Sequence, residues 1–325
     1  MKFRQKDAFL HHLAFSWGDP EDALQILLWE RLKILLTGAD GQLGQALCAS
    51  LPAEVELIAT ARPQLDLSDP HACRSAVDTH RPDWVLNAGA YTAVDKAESE
   101  PELALAVNEG APRAFAEALS ETGGRLLQIS TDFVFNGRQG APYRTDQPRD
   151  PLGVYGATKA RGEEAVEAAF GGNGDGIILR TSWVMGPVGR NFALTMLRLH
   201  GEKDELNVVA DQVGCPSSTL NLASACWQAI QRRSEGIELL PVMHWSDAGA
   251  ASWYDVAVAV GELGVELGLL KQTACVNPIT TIDYPTPARR PAYSLLDCQE
   301  SRQDLDLKAQ HWRSALRDVL TSIAN

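Results

Sequence analysis

The strongest constraint on the fold of this chain is a short apolar run that ends in a turn of regularly spaced glycines. KILLTG at 33–38 reads as a strand buried on both faces, and a helical stretch from Gln42 to Ser50 follows it at once. Gly38, Gly41 and Gly44 punctuate the join in the order G-x-x-G-x-x-G. The first glycine permits a tight turn, the second lets backbone N–H groups approach a pyrophosphate, and the third allows a helix to pack closely on a strand. Strand, glycine turn and helix make the first half of a βαβ unit.

The pattern then repeats. VELIAT is a second strand ending at Thr60, where a site selective for NAD would usually carry an acid. Arg62 lies just beyond instead, a partner for a 2′-phosphate, so NADPH is the preferred cofactor and NADH the second candidate. LDLSDP supplies Asp66 and Leu67 as an expected adenine-side wall and leads into a capped helix. RPDWVLNAGAY gives the next strand, with Ala88, Gly89 and Ala90 at its carboxyl end, small enough for the backbone to lie against a flat cofactor. TAVDKAESEPE reads as a charged loop, followed by a helix to about Ser120 and a strand that carries Thr131. Such alternation indicates an α/β fold built on a doubly wound parallel sheet, whose ligand crevice lies at the carboxyl ends of the strands.

LLQISTDFVFNG and YGATK concentrate the chemistry. Tyr155 and Lys159 are four residues apart, which on a helix puts both on one face. Moving a tyrosine from about 10 toward 7 requires about 4 kcal/mol, and a lysine charge about 5 Å away supplies roughly 3 kcal/mol at an effective dielectric near 20. The expectation is a phenol lowered by its lysine, beside the hydroxyl of Thr131.

A helix to about Phe170, a GGNGDG loop and the strand IILRTSWV follow. Beyond Trp183 the texture changes to loops and amphipathic helices, which suggests a smaller interleaved α/β lobe for a substrate. Three parts are expected: an extension over 1–31, a dinucleotide-binding part over 32–183 with later sheet elements near 221–247, and a mainly substrate-binding part over 184–325. Asp19 and Pro20 start a short helix over ALQILLWER within the extension. Near the end, the prolines of TIDYPTPARRP fix an extended run in which Arg289 and Arg290 are placed to meet phosphate.

Composition narrows the partners. A net charge of −13 argues against nucleic acid or an anionic membrane as a general partner, so an anionic ligand must be held by local groups. There is no run of 18 apolar residues and no signal peptide, because MKFRQKDAFLHHLAF is broken by charges and histidines. Six cysteines with no C-x-x-C pair suit reduced thiols in the cytoplasm. His11 and His12 are adjacent rather than spaced for a metal.

With TGADGQLGQAL, NAGAYTAVDKAESEPELALAVN, STDFVFNG, VYGATKARGE, LRTSWV, NFALTMLRL, ADQVGCPSS and YPTPARRP together, the chain resembles the dTDP-4-dehydrorhamnose reductases from about Leu32 to near the C-terminus. These are nucleotide-sugar members of the extended short-chain dehydrogenases, enzymes of cell-envelope polysaccharide synthesis with a Rossmann sheet. The resemblance implies reduction of the C4 keto group of dTDP-4-dehydro-L-rhamnose to dTDP-L-rhamnose, with Thr131, Tyr155 and Lys159 catalytic. It places Gly41, Gln42, Leu43, Asp66, Leu67, Ala90, Tyr91 and Thr92 on the cofactor, and Val94, Asp132 and Trp183 on the sugar nucleotide. Asn191 and Arg289 are its pyrophosphate candidates. Some members bridge a dimer with magnesium through an acid in the first helix, where this chain has Ala46, so no metal is expected and the unit is a monomer or homodimer. The rival readings are another nucleotide-sugar reductase or 4-epimerase, and a cofactor-binding regulatory subunit without turnover.

Overall fold

The computed structural model describes residues 32–53 and 55–324; the short helix expected before Leu32 lies outside them. Strands β1 (Lys33–Thr37), β2 (Glu56–Thr60), β3 (Trp84–Asn87), β4 (Arg125–Thr131) and β5 (Gly176–Thr181) run parallel in the order β2-β1-β3-β4-β5. β6 (Glu205–Val209) stands apart, and β7 (Val242–Trp245) returns to pair in parallel with β5. The longer helices are α1 (Gln42–Ala49), α2 (Pro70–His80), α3 (Ala111–Thr122), α4 (Val154–Phe170), α5 (Phe192–Glu202), α6 (Thr219–Ser234), α7 (Trp253–Glu266) and α8 (Trp312–Ala324).

The strands are apolar on both faces because helices cover both. Ile34, Leu36, Trp84, Leu86, Leu127, Ile177 and Leu179 pack with Leu47 of α1 and Leu222, Cys226 and Ile230 of α6. Their neighbours one residue out of phase, Leu35, Val85, Leu126 and Ile178, pack with Val77 of α2, Phe115 and Leu119 of α3, and Val166 and Phe170 of α4. Each such side chain contributes about 1.5–3 kcal/mol on full burial, so a one-residue slip in register would scramble both layers at once.

A separate apolar cluster joins α5, α7 and α8, through Met196, Val256, Val260, Leu316 and Leu320, to Leu206 and Val208 of β6. β6 pairs in parallel with β8 (Cys275–Ile279), a two-stranded sheet that no local pattern announced. Two further pairs are only two residues long: Val184–Met185 with Ser217–Ser218, and Val213–Gly214 with Ala251–Ser252. α7 starts at a capping box, in which Ser252 and Asp255 satisfy each other's backbone N–H groups.

The segment expected as a charged loop is largely helical instead, with Val94–Ala97 and Pro101–Leu105 leading through a π-helical turn at Ala106–Gly110 into α3. Pro101 is a good first-turn residue, and Pro112 has no N–H to offer the Asn108 carbonyl, so the widened turn falls where an α-helical bond cannot form.

Candidate functional site

The carboxyl ends of β1, β3 and β4 line a cavity of about 730 Å³. Gly38 holds φ +67°, a left-handed conformation that side chains disfavour. At Gly44 a Cβ would stand 2.1 Å from the Gly38 carbonyl oxygen, so only glycine lets α1 rise this close to the turn. Gly41 caps α1 without a side-chain bond and no acid lies in the first turn, which leaves those N–H groups to an anion.

Below the cavity floor a buried polar chain ties three strands together. Thr37 Oγ1 donates to Asn87 Oδ1 (2.5 Å), Asn87 Nδ2 to Gln128 Oε1 (2.7 Å), and Gln128 Nε2 to the Ile129 carbonyl (2.7 Å). Lys159 Nζ donates to the same carbonyl at 2.6 Å. The ammonium is thereby anchored to the end of β4, and burial lowers it to about 8, with the Glu163 carboxylate opposing the shift.

Tyr155 departs from expectation. Burial pushes the phenol up to about 12, Asp132 adds to that, and only the Thr131 hydroxyl works against it. Lys159 is not among the groups that shift it: the ammonium points to the Ile129 carbonyl, while Thr131 and Asp132 are the groups that act on the phenol. A phenol held this firmly protonated suits a proton donor rather than a base. Asp132 is 1 % exposed, and burial raises its carboxyl to about 6, with the Thr131 hydroxyl that donates to Oδ1 (3.1 Å) working against the shift. Its Oδ2 finds no partner within the protein although the residue borders the cavity.

α4 is held in place from beneath by Glu163, which continues the Tyr155–Lys159 face by one more turn. Ser130, Arg149 and Arg180 all donate to its carboxylate, Arg180 at 2.7 Å from Nη2. Burial alone would push this acid up, but the bonds and charges of Arg180 and Arg149 hold it below its ordinary value. Glu98 Oε1 accepts the first free N–H of the helix, from Val154, at 2.9 Å.

A second cavity of about 800 Å³ adjoins the first, with Trp253 and Arg290 bordering both. Its walls are Phe192, Thr195, Met196 and Leu199 from α5, Val208 of β6, Gln212, and Tyr284 from the run after β8. Trp183 and Trp253 stack at 3.6 Å between centroids, 10° from parallel, and Trp253 Nε1 donates to Gln212 Oε1 (3.1 Å). Trp183 sits at φ 46°, unusual for a bulky residue, with Gly214 beneath the ring where a Cβ would come within 2.6 Å of it.

Gly38, Gly41, Gln42, Leu43, Gly44, Arg62, Ala90, Thr92, Tyr155 and Lys159 all line the first cavity, as do Val94, Thr131, Asp132, Trp183 and Asn191. Asp66, Leu67, Tyr91 and Arg289 do not. Asp66 accepts from Ser68 N (2.9 Å) and Oγ (2.8 Å) and shapes the turn into α2, while Leu67 packs behind Gly89. Tyr91 is an anchor, its backbone paired with Asn108 of the π turn and its hydroxyl with Glu100 (2.6 Å). Arg289 is exposed, and it is Arg290 that reaches both cavities, held by Asp95 at 2.8 and 3.0 Å. That pair joins the two narrow motifs TAVDKAE and PTPARRP, which are 195 residues apart. Phe192, Gln212 and Tyr284 lie inside NFALTMLRL, ADQVGCPSS and YPTPARRP but were not singled out as site residues, and Trp253 lies outside every quoted motif.

The family model described as the RmlD substrate binding domain matches residues 32–325. A dTDP-4-dehydrorhamnose reductase of Sinorhizobium fredii (strain NBRC 101917 / NGR234) is 38% identical over 294 residues, covering 90% of this chain and 98% of the relative. The spore coat polysaccharide biosynthesis protein SpsK of Bacillus subtilis (strain 168) is 39% identical over 291 residues, 89% of this chain and 96% of its own length. Among solved structures, dTDP-4-dehydrorhamnose reductase from Bacillus anthracis str. Ames in complex with NADP superposes with a TM-score of 0.82 at 31% identity, covering 90% of this chain and 99% of that one.

Proposed function

This chain belongs to the dTDP-4-dehydrorhamnose reductase family, and from that premise we infer that it reduces the C4 keto group of dTDP-4-dehydro-L-rhamnose to give dTDP-L-rhamnose, using NADPH. The observation that carries the reading is the meeting of Thr131, Tyr155 and Lys159 in one cavity with the glycine turn, next to a second cavity roomy enough for a nucleotide sugar.

The residues present fit a dinucleotide: a glycine cradle that a Cβ would fill, uncapped N–H groups at the start of α1, and Ala88, Gly89 and Ala90 as a flat wall. When bound, NADPH supplies the hydride. Tyr155 holds a proton on its phenol and passes it to the oxygen that develops negative charge at C4. Thr131 donates a hydrogen bond to that oxygen, and the Lys159 ammonium adds positive charge to the same end of the cavity. Asp132 Oδ2, buried without a protein partner, accepts a sugar hydroxyl. Trp183 and Trp253 would form an aromatic wall for the sugar where the two cavities meet, and Arg290 takes the substrate's phosphates from the shared rim. Arg62, exposed at the cofactor end, reads the 2′-phosphate.

Among the described residues no helix is long and apolar enough to cross a membrane, and we place the enzyme in the cytoplasm with its substrates. The test is net cofactor consumption with dTDP-4-dehydro-L-rhamnose. The expected result is one NADPH oxidised per dTDP-L-rhamnose formed. Turnover of the sugar with unchanged nicotinamide absorbance would identify a 4-epimerase, and NADPH binding without turnover a regulatory subunit; either overturns the reading.

A further inference from the structure

Gln42 is the first residue of α1 and belongs to the glycine turn, yet its side chain points away toward the start of α5. Its Oε1 accepts from Asn191 Nδ2 (2.7 Å) and from the Gly186 N–H (3.1 Å), and its Nε2 donates to the Arg190 carbonyl (3.4 Å). The Gly186 N–H can only donate, so the amide oxygen must face it and the orientation of the carboxamide is settled. Asn191 completes the bridge: its Nδ2 also donates to the Gly186 carbonyl (2.8 Å), and its Oδ1 caps α5 through the Leu194 N–H (2.9 Å). Phe192, Thr195, Met196 and Leu199 of that helix wall the second cavity. One carboxamide thus ties the first turn at one cavity to the first turn of a helix lining the other, across 149 positions of chain.

We propose that Gln42 is a latch through which occupancy of the cofactor cavity and of the sugar-nucleotide cavity reinforce each other. An anion on the N–H groups of the first turn of α1 fixes the backbone that carries Gln42. The carboxamide then holds Asn191 and the start of α5 in place, and a second ligand meets a wall already ordered. By linkage the effect must be reciprocal. Gln42 is here a positioning residue whose carboxamide links the two walls, so its effect is read from the ratio of each ligand's affinity with and without the other, not from either affinity alone.

The proposal rests on the reductase reading for the choice of ligands. Titration calorimetry of the full chain with NADPH and with dTDP, each alone and each in the presence of the other, supplies the readout. In the wild type each ligand is expected to tighten the other by about tenfold, the middle of the range for coupled sites. In Gln42→Ala the ratio of each ligand's affinity with and without the other is expected to fall to about one, whatever the substitution does to either affinity alone. Asn191→Ser keeps an N-cap acceptor for α5 but loses the bonds to Gln42 and to the Gly186 carbonyl, so it is expected to lose coupling while the chain stays folded. Coupling that survives in Gln42→Ala, or that is missing from a wild type that binds both ligands, overturns the latch. A wild type that binds neither ligand overturns the reductase reading itself, and the latch with it.

Discussion

The two cavities are built by opposite routes. The first is centred on the carboxyl ends of the parallel strands, where Gly38, Gly44 and the Ala88–Ala90 turn bring backbone to its surface. The helix that carries Tyr155 and Lys159 is propped from behind by a buried ion pair. The second is walled mainly by side chains of α5, β6 and the run after β8, and its aromatic residues are half-buried or exposed. The difference teaches where each is vulnerable. Disturbing the support of the first costs the fold, whereas disturbing the walls of the second costs only recognition.

Four substitutions sharpen or break that contrast. The largest effect is expected for Glu163→Gln, which leaves Arg180 and Arg149 facing a neutral amide in a dry site; unfolding in urea is expected to show a loss of about 3–5 kcal/mol, and a loss under about 1 kcal/mol would remove the buried pair as a support. Tyr155→Phe keeps the fold and the packing but lacks the proton, so kcat is expected to fall at least about a hundredfold with NADPH affinity intact. Near wild-type turnover in that variant would take the phenol out of the mechanism. In the second cavity Trp253→Ala removes the partner of Trp183; the KM for the sugar nucleotide is expected to rise about tenfold, with the NADPH affinity unmoved, on the scale of an aromatic pair plus its buried area. A loss of stability as large as that of Glu163→Gln would erase the distinction between the two regions. The smallest effect is expected for Arg62→Ala, because an exposed guanidinium is screened by solvent: a several-fold drop in the NADPH to NADH preference, read from kcat/KM for each cofactor. An unaltered ratio would leave selectivity to other groups.

The same contrast explains what could be read before the structure. Strands buried on both faces advertise themselves as apolar runs, and glycines needed for close approach sit at fixed spacing, so the sheet and the cofactor turn were legible. β6 and β8 were not, since they are partly exposed and lie about 65 residues apart in a two-stranded pair of their own. Arg289 and Arg290 are indistinguishable by type; the direction of the proline-bound backbone and the Asp95 carboxylate decide which one faces the cavities. Spacing placed Tyr155 and Lys159 on one helix face, but spacing says nothing of where an ammonium donates, and this one points to the Ile129 carbonyl rather than to the phenol. Trp253 and Gln212 meet only through tertiary packing, which leaves no periodic trace.

One consequence of the late return of β7 concerns synthesis. A nascent chain that has emerged only as far as Trp183 carries the glycine turn, Tyr155 and Lys159, yet the edge of β5 lies bare and α6 is missing from the face over α1. The sheet therefore closes only after residues 242–245 have left the ribosome, and a fragment cut at the apparent boundary would expose a sticky strand instead of behaving as a free-standing nucleotide binder.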